Sequence, residues 1–142
     1  MTSANLVPGA APHSPLRVAV AGEFLQALAA QDFASLALAL RDDVRLRALL
    51  PGGFHEWAGA ARVTAKFAQW LGDTEQFSLV ESAAGEIGGR LYLRWRARLR
   101  AERLGDGPFL VEQHAYADLD DAGRVSDIWL ACSGYQPEHR AG

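Results

Sequence analysis

The first half of the chain carries apolar residues at the three- and four-residue spacing of amphipathic helices. This spacing predicts helices over about residues 16–30 and 58–71, and a short helix after Asp32, which is suited to be its N-cap. The apolar positions are Val18, Ala21, Phe24, Leu25 and Leu28 in the first helix, Phe33, Leu36, Ala37 and Leu40 in the second, and Ala60, Val63, Phe67, Trp70 and Leu71 in the third.

Apolar and polar residues alternate in one early segment and through most of the second half, which is the period of half-buried strands. The alternation predicts strands over residues 44–48, 77–87, 91–100, 109–119 and 125–132. Three helices followed by such strands predict an α+β fold. We expect a cone-shaped roll, in which three N-terminal helices pack on a curved, mainly antiparallel sheet. Strand parity then decides which side chains point into the cone.

Size and composition narrow the classes of protein and partner. A chain of 142 residues, 49% apolar and 22% charged, has the size and composition of one globular domain, which excludes wholesale disorder. Its apolar runs are far shorter than the about 20 residues of a membrane-spanning helix, so we expect no membrane partner. The net charge of −3 weighs against nucleic acid as a partner.

Cysteine usage bears on the compartment and on metal binding. Cys132 is the single cysteine, so the chain can form no internal disulfide and no cysteine-based metal cluster. We expect neither a metal nor a cofactor. A lone free thiol fits a reducing, cytoplasmic compartment.

The two ends of the chain differ from its middle. Residues 1–15 hold three of the six prolines and lack the basic and apolar regions of a secretory signal. We therefore expect a disordered N-terminal tail over residues 1–15, a folded domain over 16–137 and a C-terminal tail over 138–142. His13 and His139 lie in these tails, and we expect no functional role for them.

Three stretches carry a resemblance to a known family. They are FLQALAAQDFASLALALRDDVRLRALLPGG, AGAARVTAKFAQWLGD and VEQHAYADLDDAGRVSDIWLACSGYQP. Their order resembles the nuclear transport factor 2-like superfamily, which includes ketosteroid isomerase, scytalone dehydratase, limonene epoxide hydrolase and the SnoaL-like polyketide cyclases. The resemblance covers about residues 16–137 and implies the cone fold. It is closest to small stand-alone SnoaL-like proteins, whose last strand ends in a Cys-Ser-Gly-aromatic phrase, here Cys132 to Tyr135.

The resemblance allows a comparison with the catalytic positions of ketosteroid isomerase. That enzyme uses an aromatic hydroxyl, a carboxylate base and a protonated carboxylic acid. The corresponding positions here are Phe24, Ala48 and Ala115, and all three are apolar. Steroid isomerisation by that mechanism is therefore excluded. The Asp–Arg–Asp relay of limonene epoxide hydrolase and the His–Asp pair of the cyclases are also missing from the inward positions.

The same alignment sets the phase of the strands and predicts an almost wholly apolar pocket, with Gln113 and Cys132 as its polar groups. The other inward positions are Val44, Leu46, Ala48, Leu50, Leu93, Trp95, Ala97, Leu99, Val111, Ala115, Ala117, Ile128 and Leu130. A buried amide needs hydrogen-bond partners. Gln113 therefore either pairs with a buried water or a helix carbonyl, or orients a carbonyl or hydroxyl group of a ligand.

The candidate site residues follow from these positions. For ligand binding they are Gln113, Trp95, Cys132, Phe24, Phe67, Leu130 and Trp57. For catalysis they are His55 and Glu56, in a loop predicted over the mouth of the cone, and Cys132. Loop residues of this kind are more often solvated, a lone cysteine is more often a small buried apolar residue, and buried tryptophans more often pack than stack on ligands.

The outer face of the sheet is predicted to be charged. A hairpin register centred on Asp106 places Arg100, Arg98, Arg96 and Arg94 opposite Glu112, His114, Tyr116 and Asp118, respectively. His114, next to Gln113 in the strand, must point to this face, so a Cys–His dyad with Cys132 is not expected. Because arginine and aromatic residues such as Tyr92, Tyr116 and Trp129 are enriched at interfaces, we expect a homodimer through this convex face.

Binding of a small apolar ligand in the cone is the function that these observations favour. The first alternative is an enzyme of the isomerase, cyclase or lyase type acting on a polyketide-, steroid- or terpene-like substrate. It requires His55, Glu56 or Cys132 to reach the pocket. The second alternative is a non-catalytic dimerisation or scaffold module with a filled interior. The alternation of residues does not decide whether the pocket is open or filled by side chains.

Overall fold

A computed structural model describes residues 15–138. The expectations for residues 1–14 and 139–142, including those for His13 and His139, lie outside the described range. At the edges of that range, Pro15 is already the first residue of a helix, and the side chain of Glu138 accepts hydrogen bonds from Arg98 at 2.8 Å.

The helices and strands follow the predicted order, with two additions among the strands. The elements are α1 (Pro15–Ala29), α2 (Phe33–Leu38), β1 (Leu40–Leu50), β2 (Gly53–Ala58), α3 (Ala60–Leu71), β3 (Gln76–Ile87), β4 (Arg90–Arg100), a 3₁₀ turn (Glu102–Leu104), β5 (Phe109–Leu119), β6 (Val125–Cys132) and β7 (Gln136–Pro137). In this part of the chain, no helix has both the length and the apolar character needed to cross a lipid bilayer.

The strands of residues 15–138 form one seven-stranded sheet in the order β2-β1-β6-β5-β4-β3, and β7 pairs with β5. β1 and β6 run parallel, whereas the other pairs are antiparallel. α1 packs on β3 and β4 at one end of the sheet, and α3 packs on β1 and β2 at the other. The predicted α+β cone, with three helices on one face of a mainly antiparallel sheet, is confirmed.

Asp32 caps α2 as the sequence predicts. Its carboxylate accepts hydrogen bonds from the backbone N of Ser35 at 3.1 Å and from the Ser35 hydroxyl at 2.7 Å. These bonds favour the charged form and lower the pKa of Asp32 below its ordinary value. The helix is shorter than its apolar spacing indicates, because Leu40 already belongs to β1 and is buried there.

The segment around His55 is a strand, where the sequence predicts a loop. Leu50 lies opposite Gly53, so Pro51 and Gly52 form the two-residue turn of a hairpin between β1 and β2. Proline and glycines mark such a turn as readily as they mark a longer loop, which is why the prediction was wrong. Because β2 extends to Ala58, α3 begins at Ala60 rather than at residue 58.

The predicted register between β4 and β5 is wrong by four residues along β5. Arg98 lies opposite Leu110 rather than His114, and Arg96 lies opposite Glu112 rather than Tyr116. The cause is the 3₁₀ turn of Glu102–Leu104, which starts the chain reversal directly after β4 and centres the connection on Leu104. A shift of four leaves every side chain on its predicted face, because the strand period is two.

The core lies between the concave face of the sheet and the helices. Leu93, Trp95, Gln113 and Ala115, which alternate with polar residues along β4 and β5, are at most 1% exposed. The predicted phase of these strands is therefore confirmed. The intermediate exposure of Leu50 and Cys132 indicates that both lie at the edge of the core.

Candidate functional site

Aromatic rings occupy the centre of the cone. The Phe24 ring of α1 and the Phe67 ring of α3 pack edge to face with their centroids 5.8 Å apart. Both rings pack on Trp95 of β4, with centroid distances of 5.9 Å and 6.3 Å. All three side chains are at most 1% exposed, so these predicted ligand-binding residues are brought together as a packed cluster.

Gln113 lies beside this cluster and is fully buried. It is directly opposite Trp95 on β5, and Nε1 of Trp95 donates a hydrogen bond of 2.8 Å to Oε1 of Gln113. The other end of the amide, Nε2, has no hydrogen-bond partner among the described residues. A buried polar group without a partner costs about 1–3 kcal/mol. The indole of Trp95 pairs with Oε1, and among residues 15–138 no helix carbonyl pairs with Nε2.

Aliphatic side chains surround the aromatic cluster. Leu130 of β6 is 4% exposed and lies opposite Ala48 and Ala115 on the neighbouring strands. Two surface hollows, of about 440 Å³ and 330 Å³, lie against α1 and are not lined by Trp95 or Gln113.

One end of the cone carries a cluster that we call the rim, formed by His55, Trp57, Lys66 and Trp70. The rings of His55 and Trp57 stack at an interplanar angle of 11° and a centroid distance of 5.7 Å. Nζ of Lys66 lies 4.6 Å from the centroid of the Trp57 ring. Trp57 packs on Trp70 at 5.9 Å, and Trp70 packs on Phe67 at 5.4 Å. Ring contacts thus connect the rim to the buried cluster.

His55 and Glu56 are not brought together as an acid/base pair. They are neighbours on β2, so their side chains point to opposite faces of the sheet. The Glu56 carboxylate binds the guanidinium of Arg45 and lies 3.5 Å from that of Arg47, on the convex face. His55 remains exposed on the rim, where its ring stacks on that of Trp57. A catalytic role for either residue stays a prediction.

Cys132 ends β6, opposite Gln113, and is partly buried as a free thiol. The backbone N of Gly134 lies 3.4 Å from its Sγ. His114 is on the other face of the sheet, where Nδ1 is 2.9 Å from the Tyr92 hydroxyl and Nε2 is 2.6 Å from the Glu112 carboxylate. The absence of a dyad between Cys132 and His114 follows from this placement.

Tyr135 and Arg103 form hydrogen bonds with backbone carbonyls at the C-terminal end of α3, a feature that the sequence analysis missed. The Tyr135 hydroxyl donates a 2.6 Å hydrogen bond to the carbonyl of Trp70, and Arg103 donates to the carbonyls of Trp70 and Gly72 at 3.2 Å and 3.0 Å. Burial raises the pKa of Tyr135, against the opposing effect of Arg103. The Cys-Ser-Gly-aromatic phrase was the available signal, because Gly134 has a φ of +76° that directs the chain towards α3.

The convex face holds ion pairs around one tryptophan. The guanidinium groups of Arg47 and Arg90 lie 4.9 Å and 4.3 Å from the centroid of the Trp129 ring. The pKa of Glu112 is held below its ordinary value, first by the hydrogen bond with His114 and then by the hydrogen bonds that Glu112 accepts from Arg96 at 2.8 Å and 3.0 Å. Within residues 15–138, no cluster of histidine, cysteine and carboxylate side chains has the arrangement of a metal site.

Comparison with known proteins identifies the fold. Neither a family profile nor a curated protein matches the sequence. Solved structures do match, among them an LEH-like epoxide hydrolase from M. tuberculosis, at 20% identity and a TM-score of 0.62 over 86% of each chain.

Two further matches differ in the function that their names give. A protein described as a SnoaL-like polyketide cyclase, from Shewanella putrefaciens CN-32, has 12% identity and a TM-score of 0.66, over 84% of this chain and 91% of its own. An NTF2-like protein from Burkholderia xenovorans LB400 has 18% identity and a TM-score of 0.62, over 85% and 92%. At such identities the likeness shows the fold, and the resemblance seen in the sequence is confirmed at that level.

Proposed function

We propose that the cone binds a small, mainly apolar molecule that carries a hydrogen-bond acceptor such as a carbonyl oxygen. The observation that carries this proposal is the unpaired Nε2 of Gln113, which is fully buried in an apolar core. A ligand oxygen at this position would satisfy the donor and recover the cost of burying it.

The orientation of the Gln113 amide supports a ligand that accepts rather than donates. The indole nitrogen of Trp95 is a donor only, so the amide atom that faces it at 2.8 Å has to be the oxygen. The nitrogen, with its two hydrogens, is thereby turned away from Trp95. A carbonyl or ether oxygen fits this environment, whereas a second N–H donor does not.

The surroundings of Gln113 favour binding over acid–base chemistry. The inward neighbours on the two adjoining strands are Trp95 and Cys132, and the next inward residues on β5 are Val111 and Ala115. None of these carries a carboxylate or an imidazole. Apolar burial would then supply most of the affinity, at about 25 cal/mol per Å² before the cost of association is subtracted.

Two matched compounds test the proposal: 2-acetylnaphthalene, which has a carbonyl, and 2-ethylnaphthalene, which lacks it. Equilibrium dialysis with wild-type protein should show binding of both. Gln113→Leu should weaken the acetyl compound by about 0.5–1.5 kcal/mol and leave the ethyl compound unaffected. His114→Leu changes the adjacent residue on the opposite face and should affect neither compound. Equal weakening of both compounds by Gln113→Leu would show that the amide only shapes the core, and binding of neither would overturn the proposal.

Dimerisation through the convex face is a second proposal, and a specific feature favours it. Tyr116, in the middle of this face, is 40% exposed and lies opposite Trp129. An aromatic pair flanked by arginines is the composition found in the centres of interfaces. Light scattering at micromolar concentration should give about twice the mass of 15.3 kDa for the wild type and the single mass for Trp129→Glu. A monomeric wild-type protein would rule out this assembly.

A further inference from the structure

The rim carries a cation that no carboxylate of the described chain neutralises. Lys66 is the single lysine of the protein and lies on the solvent side of α3, with Nζ above the Trp57 ring. Its hydrogen-bond acceptor is Oε1 of Gln69 at 2.8 Å, a neutral group. A cation above an aromatic ring is partly desolvated, which strengthens its attraction for an anion.

A second cation lies one helical turn before Lys66. Arg62 is exposed on α3, four residues earlier, and side chains at this spacing are neighbours, with about 5–6 Å between their Cβ atoms. Within residues 15–138, neither Arg62 nor Lys66 forms an ion pair, and like charges at this spacing destabilise a helix. An anion placed between the two side chains would relieve this repulsion.

The carboxylate nearest in β2 does not supply that anion. Glu56 lies next to the rim residues His55 and Trp57, but its side chain points to the convex face and binds Arg45. On the convex face, in contrast, several arginines pair with carboxylates, as in Arg90 with Asp118 and Arg96 with Glu112. Lys66 and Arg62 thus place two cations without a carboxylate partner on α3, at the end of the ring contacts that lead to Trp95.

We infer that the ligand of the cone is an apolar anion, whose carboxylate, sulfonate or phosphate group binds at Lys66 and Arg62 while its apolar body packs among the aromatic rings. This inference rests on the proposed function and adds the charge of the ligand to it. Lys66 supplies selectivity for an acid over its neutral analogue. Trp57 provides the apolar surface directly beneath the anionic group, because the Lys66 ammonium lies above that ring.

Two fluorescent dyes that differ by one sulfonate test the inference: 8-anilinonaphthalene-1-sulfonate and the neutral N-phenyl-1-naphthylamine. In low salt, the wild-type protein should bind the sulfonate about three- to fivefold more tightly than the neutral dye. Lys66→Met keeps an unbranched chain over Trp57 and should remove this preference without weakening the neutral dye. Lys66→Arg should restore the preference. Raising the salt concentration should reduce it in the wild type, because the cations are near the surface.

Arg124→Gln is the matched control, since Arg124 is an exposed cation on the turn between β5 and β6, away from α3. It should leave the preference unchanged, and Arg62→Gln should reduce it. Thermal unfolding of each variant establishes that dye binding is measured on folded protein. If the neutral dye binds and the sulfonate binds no more tightly, the inference is wrong while the proposed function stands. If neither dye binds, the proposed function fails. An equal loss in Arg124→Gln and Lys66→Met would reduce the effect to net charge and overturn the inference.

Discussion

The two faces of β4 and β5 are built from alternating residues of the same strands, yet they are held together by different interactions. On the concave face, Trp95 contacts two phenylalanine rings and bonds to Gln113, and each of these groups is buried. On the convex face, Arg94 and Arg96 bind Glu81 and Glu112 at the solvent boundary. The inner contacts require one particular geometry, whereas the outer contacts are made by long, flexible side chains.

The error in the predicted register shows that the two faces depend on the strand register to different degrees. The shift of four residues gives the arginines of the convex face other partners than the predicted ones. They still form ion pairs, namely Arg90 with Asp118, Arg96 with Glu112 and Arg98 with Glu138. A face that carries many positive and many negative side chains can form ion pairs in several registers. The concave face cannot, because its ring packing and its buried hydrogen bond between Trp95 and Gln113 depend on which residues are opposite each other. We therefore attribute most of the stability, and the specificity of the register, to the interior.

Adjacent substitutions on the two faces should give the largest difference. Trp95→Ala should lower the free energy of unfolding by about 3–5 kcal/mol, because it leaves a cavity among Phe24 and Phe67 and orphans the oxygen of Gln113. Arg94→Ala, one residue away on the convex face, should lower it by less than about 1 kcal/mol. Urea denaturation of the two variants beside the wild type measures both values.

The two unfolding free energies test whether the concave face contributes more stability than the convex face. Similar losses for Trp95→Ala and Arg94→Ala would show that the ion pairs of the convex face act as a cooperative network. Arg94→Lys serves as a control, because it retains the charge and most of the side chain and should unfold like the wild type.

Acid should produce a smaller effect, through carboxylates outside the interior such as Glu112 on the convex face. The pKa of Glu112 is lowered, first by its hydrogen bond to His114 and then by that to Arg96. A carboxyl group whose pKa is lower in the folded than in the unfolded chain stabilises the fold above its ordinary pKa of 4.5 and loses that contribution as the pH falls through the folded value. The melting temperature should therefore fall between about pH 5 and pH 3, and Glu112→Gln should reduce part of that fall.

Glu102→Gln, on the exposed turn before β5, controls for the loss of a carboxylate. The melting temperature of this variant should depend on pH as that of the wild type does. An unchanged slope in Glu112→Gln would mean that its contacts with His114 and Arg96 do not persist in solution. Gln113, the polar residue on the concave face next to Glu112, has no charge to lose, so the interior should not contribute to the acid response.

Much of the architecture is determined by the sequence itself. The helix spacing, the Asp32 cap and the bounds of β5 and β6 were predictable, because each depends on residues close together in the chain. The assignment of Trp95 and Gln113 to one face and His114 to the other was also predictable. It requires only the parity of a strand, which survives an even error in register.

The tertiary structure alone decided what the candidate site can do. The pairing of Leu46 with Trp57 turned the expected loop into β2 and separated His55 from Glu56. The true register placed Trp95 opposite Gln113, where the indole takes the amide oxygen and leaves Nε2 without a partner. Contacts of α3 brought Lys66 to the rim. These features join residues far apart in the chain, and side-chain packing and hydrogen-bond geometry, which no local pattern encodes, determine their distances.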